Sequence, residues 1–344
     1  MSSKLKVGIL GATGAVGQRF ISLLDNHPWF EVEVLAASER SSGKKYADAA
    51  NWILKGDIPE YARDLKVVGA EPKDCGKVDL VFSALPSAIA AETERKFLDA
   101  GYFISSNSAS FRMHSDVPLV IPEVNPEHLK LLETQKWKGR IVTNPNCSAI
   151  QLVIALKPLQ DKFGLEKVSV TTMQALSGAG YPGVPSLAII SNVIPYIENE
   201  EEKIETEPLK ILGKLDGNKV KDETFAISAS CNRVAVQDGH FESVSVKLKK
   251  PATVHEIEKC LSEFRGAPQE LKLPTAPEKP IIVRKEKDRP QPSKDLADMA
   301  IVVGRVREDK VLGFKFNVLG HNTIRGAAGA AVLNAELLKA KGYL

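Results

Sequence analysis

Gly11-Ala12-Thr13-Gly14-Ala15-Val16-Gly17 decides the fold. The apolar run Leu5–Leu10 precedes it and reads as a short buried strand. Apolar residues at Val16, Phe20, Leu23 and Leu24 follow at helical spacing. Glycine at 11, 14 and 17 permits a tight turn and lets a pyrophosphate approach backbone N–H groups at a helix N-terminus, where the negative charge is stabilised. A second strand at 31–37 completes a strand–turn–helix–strand unit of dinucleotide-binding type. A Gly-rich turn without a ligand is the bland reading, and the flanking strand and helix weigh against it.

The alternation continues outward. Strands are expected at 78–84, 102–105, 119–121 and 140–143, with a helix over 88–100 and the polar loop Ser105-Ser-Asn-Ser-Ala-Ser110. Beyond residue 146 the character changes. Longer strands are expected at 168–175, 228–236, 242–249, 281–283, 299–307 and 310–318, interrupted by helices at 149–162 and 254–264. Gly266–Pro292 reads as a surface excursion, and the Ala-rich stretch 326–341 as a helix returning to the first domain. The fold class is therefore α/β. A dinucleotide-binding domain, 1–146, is joined by the C-terminal helix 326–344, and an α+β domain built on a sheet, 147–325, offers a substrate site and a subunit interface.

The bulk composition is that of a folded chain. Its 344 residues are 43% hydrophobic and 26% charged, with a formal net charge of +3. That balance points away from nucleic-acid and membrane partners. No apolar run approaches membrane-spanning length, and no signal-peptide pattern leads the chain, so a cytoplasmic setting is expected. Cys75, Cys147, Cys231 and Cys260 are far apart and show no metal-ligand spacing, so neither disulfides nor a metal is expected.

Cofactor choice turns on the end of the second strand, Ala37-Ser38-Glu39-Arg40-Ser41-Ser42-Gly43-Lys44. Hydroxyls and two cations suit a 2′-phosphate, which favours NADP(H) with Ser38, Arg40, Ser41 and Lys44 as its ligands. Glu39 would suit ribose hydroxyls instead. Gly11, Thr13, Gly14, Ala15 and Val16, with Ser83 in the loop after the 78–84 strand, are the remaining candidate contacts.

Thr143-Asn-Pro-Asn-Cys147-Ser-Ala-Ile carries the chemistry. Cys147 opens a helix, where the local dipole favours a thiolate and hence a nucleophile near neutral pH. Inert packing is the better reading of the other three cysteines, and for Cys147 alone it remains open. Among the six histidines, His240 stands between two strand-like segments after Gly239, a hairpin position able to reach across a cleft. His27 and His255 are expected to be exposed.

Taken together, Gly11-x-x-Gly14-x-x-Gly17, Ser-Asn-Ser-Ala-Ser-Phe-Arg112, Asn144-Pro-Asn-Cys147, Gln174, Ser177-Gly-Ala-Gly180, Arg233 with His240, and Asn322-x-x-Arg-Gly-Ala-Ala-Gly329 resemble aspartate-semialdehyde dehydrogenase, most of all its archaeal and fungal branch. The motifs span about residues 5–343 in the family's order. The resemblance implies an N-terminal Rossmann NADP-binding domain and a C-terminal catalytic and dimerisation domain with a mixed sheet. It implies attack of Cys147 on 4-phosphoaspartate, release of phosphate, and hydride transfer from NADPH to the thioester, in lysine, threonine and methionine biosynthesis. His240 would be general acid and base, and Gln174 would position the thioester. Arg233 would hold the substrate carboxylate, and Arg112 with Lys203 the phosphate. Glu200 would meet the amino group or orient Lys203, and Asn322 would contact the nicotinamide side. A homodimer or homotetramer is expected. A malonyl-CoA reductase shares the thioester route, N-acetylglutamyl-phosphate reductase fits the cysteine window less well, and a cofactor-binding protein without catalysis is the reading from another class.

Overall fold

The computed structural model describes residues 3–344 and contains two large sheets. The first is parallel, from β1 (Leu5–Leu10), β2 (Phe30–Ala37), β3 (Val67–Gly69), β4 (Leu80–Ser83), β5 (Phe103–Ser106) and β6 (Arg140–Thr143), in the order β3-β2-β1-β4-β5-β6. That order reverses beside β1, and ligands of open parallel sheets bind at the carboxyl ends of the strands at such a switch point. Here α1 (Ala15–Leu23) starts beside the end of β1, and α2 (Ser87–Ala100) follows β4. Strand β3 escapes the sequence pattern because it has only three residues. The segment 119–121 makes only an isolated bridge, Leu119 with Thr143, instead of the expected strand.

The second sheet is mixed. Its strands are β7 (Leu165–Gln174), β10 (Ala226–Arg233), β11 (His240–Leu248), β12 (Ile281–Arg284), β13 (Ile301–Asp309) and β14 (Gly313–Gly320), ordered β10-β7-β11-β14-β13-β12; β8 (Lys214–Asp216) and β9 (Lys219–Lys221) form a separate hairpin. His240 is therefore not on a hairpin facing Arg233. Strand β7 lies between β10 and β11, pairing parallel with one and antiparallel with the other. The consequence is useful: Gln174 and Arg233 end their strands, and His240 begins its own, at one edge of the sheet.

Against the second sheet packs α3 (Cys147–Phe163), buried around most of its circumference. Its Ile150, Val153, Ile154 and Leu156 pack with Val168, Val170, Val244 and Phe316 of the second sheet. Each such side chain contributes on the order of 1.5–3 kcal/mol by leaving water, so the helix that begins with Cys147 is held rigidly. Two further helices, α4 (Glu200–Ile211) and α5 (Val254–Glu263), flank it. A π-helical turn, Ile324–Ala328, leads into α6 (Gly329–Ala340), whose Ala331, Val332 and Ala335 pack into the first sheet's core. Among the described residues no helix is long and apolar enough to cross a membrane.

Candidate active site

Asn146 caps α3: its side-chain oxygen accepts from the N–H groups of Ser148 (2.9 Å) and Ala149 (3.1 Å). Cys147, the next residue, faces a cavity of about 770 Å3 between the two sheets. Its Sγ lies 3.2 Å from His240 Nε2. His240 is fully buried, and its Nδ1 accepts from the Ala175 N–H at 3.0 Å. A backbone N–H can only donate, so Nδ1 carries no proton and the ring proton sits on Nε2, directed at sulfur. Burial, with Arg233 and His321 nearby, holds His240 down to about 3. Burial likewise pushes the Cys147 thiol up to about 12; Glu200 adds to this, while Arg112, Arg233 and Lys203 oppose it. The helix N-terminus does not by itself deliver a thiolate, contrary to the expectation from position. Burial of the sulfur works against the thiolate that the helix N-terminus favours.

The other expected residues gather around this pair. Gln174 Nε2 donates to Ser148 Oγ and to Glu200 Oε1, both at 2.8 Å. Glu200 also accepts from Asn146 Nδ2 at 2.8 Å, and its second oxygen is 3.5 Å from Lys203 Nζ. Arg233 is anchored through NH1 to the Ala175 carbonyl at 2.7 Å. Arg112 is buried against Glu207 (2.9 Å) and the Asn107 carbonyl (2.7 Å). Deleting one partner of such a buried pair costs on the order of 3–5 kcal/mol, because the other charge is left uncompensated. Gly178 passes so close that a Cβ there would meet Arg233 NH1 at 2.9 Å and His240 Cε1 at 3.0 Å. From the opposite wall the π-helical turn brings Gly326 onto Cys147, where a Cβ would meet the cysteine Cβ at 2.8 Å.

The cavity extends to the glycine turn, where Thr13, Gly14, Ala15 and Val16 line it. Gly11 adopts φ +78°, and a Cβ at Gly17 would stand 2.2 Å from the Gly11 carbonyl, so the turn closes only with glycine there. Gly14 faces open space apart from a contact at 3.4 Å, which leaves a backbone cradle suited to a pyrophosphate. Ser38, Arg40, Ser41 and Lys44 stand after β2, outside the cavity wall, with Ser41 buried and the other three exposed. Ser83 is fully buried, and its carbonyl accepts from Asn107; it supports that loop and does not face the cavity as expected. Asn322 lines the cavity with both ends engaged, accepting from the Gly239 N–H and donating to Ser177 Oγ.

Several residues were not anticipated. Asn146 and Ser148 hold Cys147 and Gln174, Glu207 ties Arg112 to the Asn146 N–H (2.6 Å), and Gln151 links the His240 carbonyl to Glu242. Glu242 is wholly buried and pushed up to about 8 by desolvation. His27, expected at the surface, is buried against Glu336 at 2.9 Å, because the C-terminal helix covers it.

Residues 6–132 match the family model "Semialdehyde dehydrogenase, NAD binding domain", and residues 156–325 match "Semialdehyde dehydrogenase, dimerisation domain". The aspartate-semialdehyde dehydrogenase of Archaeoglobus fulgidus is 55% identical over 342 residues, covering 97% of this chain and 98% of the relative. The crystal structure of aspartate semialdehyde dehydrogenase with NADP from Candida albicans superposes with a TM-score of 0.91 at 42% identity, covering 99% of this chain and all of that one. The malonyl CoA reductase (NADP) of Metallosphaera sedula is 40% identical over all of this chain and 99% of the relative.

Proposed function

The chain belongs to the aspartate-semialdehyde dehydrogenase family, and from that premise we propose that Cys147 carries an aspartyl thioester between 4-phosphoaspartate and aspartate semialdehyde. The activity is that of an NADP-dependent aspartate-semialdehyde dehydrogenase of aspartate-family amino-acid biosynthesis. The observation that carries the mechanism is Cys147 Sγ 3.2 Å from His240 Nε2, at the floor of a cavity lined by Arg112, Arg233, Glu200 and Lys203.

In the reductive direction the Cys147 sulfur bonds to the acyl carbon and the carbon–oxygen bond to phosphate breaks. The thiol proton ends on the departing phosphate, and its transfer in the course of attack avoids a free thiolate in a site that disfavours one. The bound nicotinamide supplies hydride to the thioester carbon. As the tetrahedral adduct collapses to aldehyde and the carbon–sulfur bond breaks, neutral His240 donates a hydrogen bond through Nε2–H to the departing sulfur, and a proton from solvent restores the thiol. The Ala175 N–H on Nδ1 favours this role as a neutral hydrogen-bond donor over proton uptake, since an imidazolium would place two donors face to face.

The charges divide by reach. Arg233 takes the substrate carboxylate, Arg112 and Lys203 the phosphate, and Glu200 the ammonium, each a charge-assisted contact. Gln174, fixed between Ser148 and Glu200, positions the thioester. Thr13 to Val16 cradle the pyrophosphate, Ser38, Arg40, Ser41 and Lys44 hold the 2′-phosphate, and Asn322 meets the nicotinamide by exchanging its bond to Ser177. The first unit ends near residue 146, and the second, 147–325, forms a homodimer. Exposed Leu187, Ile190, Val193 and Tyr196 supply apolar surface for that contact.

The test is NADP+ reduction by aspartate semialdehyde with and without phosphate, run beside NADPH oxidation by malonyl-CoA. Phosphate-dependent reduction with no malonyl-CoA turnover is expected; efficient turnover of malonyl-CoA with none of the aldehyde would overturn the reading, and Glu200, suited to an ammonium that malonyl lacks, weighs against it.

A further inference from the structure

We propose that Glu207, with Lys210 behind it, is the positioning device that sets Arg112 relative to the Cys147 nucleophile; the inference rests on the reading of Arg112 as phosphate ligand. Glu207 is 2% exposed and lies outside the cavity wall, so it touches neither substrate nor cofactor. Both its oxygens are committed. One accepts from Arg112 NH1 at 2.9 Å, and the other from the main-chain N–H of Asn146 at 2.6 Å. Arg112 comes from a loop after the first sheet's β5, and Asn146 is the cap residue directly before Cys147. A single carboxylate thus joins the phosphate-binding cation to the main chain that presents the sulfur. With NH1 held by Glu207 and NH2 by the Asn107 carbonyl, the plane of the guanidinium is fixed.

Lys210 grips the same arginine from its main-chain side. Its ammonium donates to the carbonyls of Arg112 (2.6 Å), His114 (2.7 Å) and Val117 (2.9 Å). Offsets of three, seven and ten residues along α4 place Glu200, Lys203, Glu207 and Lys210 on one helix face. That face therefore carries two residues into the cavity and uses two more to hold a third ligand, Arg112, in register with them. Phosphate and ammonium recognition become properties of one rigid element, and the sulfur's distance from the phosphate is set by the carboxylate between them.

Glu207→Gln tests this. Glutamine keeps an acceptor for the Asn146 N–H but turns an NH2 group toward Arg112 NH1. In phosphate-dependent reduction of NADP+ by aspartate semialdehyde, KM for phosphate rises about tenfold, as for one lost charge-assisted contact, while KM for the aldehyde and for NADP+ barely moves. Protection of Cys147 from iodoacetamide by inorganic phosphate, read without turnover, shifts to the same higher concentration. Glu207→Asp, which retains the charge, recovers part of both effects. If Glu207→Gln does not fold, Lys210→Gln carries the same test through the other grip. Unchanged phosphate constants, or a parallel rise in every constant with a lowered melting temperature, would overturn the proposal. Wild-type protein whose turnover needs no phosphate would instead overturn the assignment of the site on which it rests.

Discussion

Adding one methyl group at Gly178 should impair the site without removing any functional group. The Cβ of Gly178→Ala would lie 2.9 Å from Arg233 NH1, 3.0 Å from His240 Cε1 and 3.1 Å from His240 Nε2. Relaxed contacts of these atoms need about 3.5 Å, so Arg233 and His240 together must retreat by roughly 0.5 Å. His240 cannot retreat freely, since Ala175 holds Nδ1 from behind at 3.0 Å. The movement therefore falls on the 3.2 Å approach of Nε2 to sulfur and on the guanidinium assigned to the substrate carboxylate. A misplacement of about 1 Å can cost on the order of a hundredfold, so half of that predicts about a tenfold fall in kcat, with KM for the aldehyde rising as Arg233 shifts. Residue 178 has no positive φ to strain, and the methyl group adds volume only at a cleft wall, so the melting temperature should stay near that of the parent. Steady-state kinetics beside thermal unfolding reads both. Wild-type kcat in a folded Gly178→Ala protein would refute the placement of His240 and Arg233 around this loop.

Two further outcomes follow from the buried Glu242 and the thiol. Glu242 is an acid whose folded pKa is raised, to about 8 from an ordinary 4.5, so its share of stability is complete below about pH 4.5 and is lost as pH rises toward 8, at about 1.4 kcal/mol per pH unit for one proton. Glu242→Gln imitates the protonated form and should flatten the melting temperature across that window, gaining on the parent at pH 8; parallel curves would contradict a neutral Glu242. With the thiol raised and His240 lowered, iodoacetamide labelling of Cys147 in the cofactor-free protein should accelerate about tenfold per pH unit from 6 to 9. A plateau reached on the acid side would instead reveal an imidazolium–thiolate pair.

Local signals in the sequence carried the first sheet well. The glycine turn, bounded by strand and helix, requires a particular backbone, and the apolar runs of β1 and β4 and the alternation in β2 read as strands. The pairing of Cys147 with His240 was not local. It depends on β7 inserting between β10 and β11, a long-range choice that no periodicity encodes, and the expected hairpin at His240 was wrong for that reason. The acid-rich run from Glu198 to Glu207 looks like a solvated face, yet Glu200 and Glu207 are buried. A signal was present: Ile204 and Ile211 mark a buried stripe seven residues apart, and Glu200 and Glu207 fall on that side of α4. His27 misled because its cover comes from residue 336, more than three hundred positions away. The raised thiol pKa was equally hidden, since helix position is visible in sequence and desolvation is not.

The central claim is that carbon is held on the sulfur of Cys147. Aspartate semialdehyde and NADP+ supplied without phosphate should oxidise the aldehyde only as far as the thioester, since the group that would release it is missing. Acid quenching followed by peptide mass analysis should then find an aspartyl adduct on the Cys147 peptide, present in one equivalent or less per chain and discharged when phosphate is added. An adduct on another residue, or reduced cofactor accumulating with no adduct on Cys147, would contradict the account.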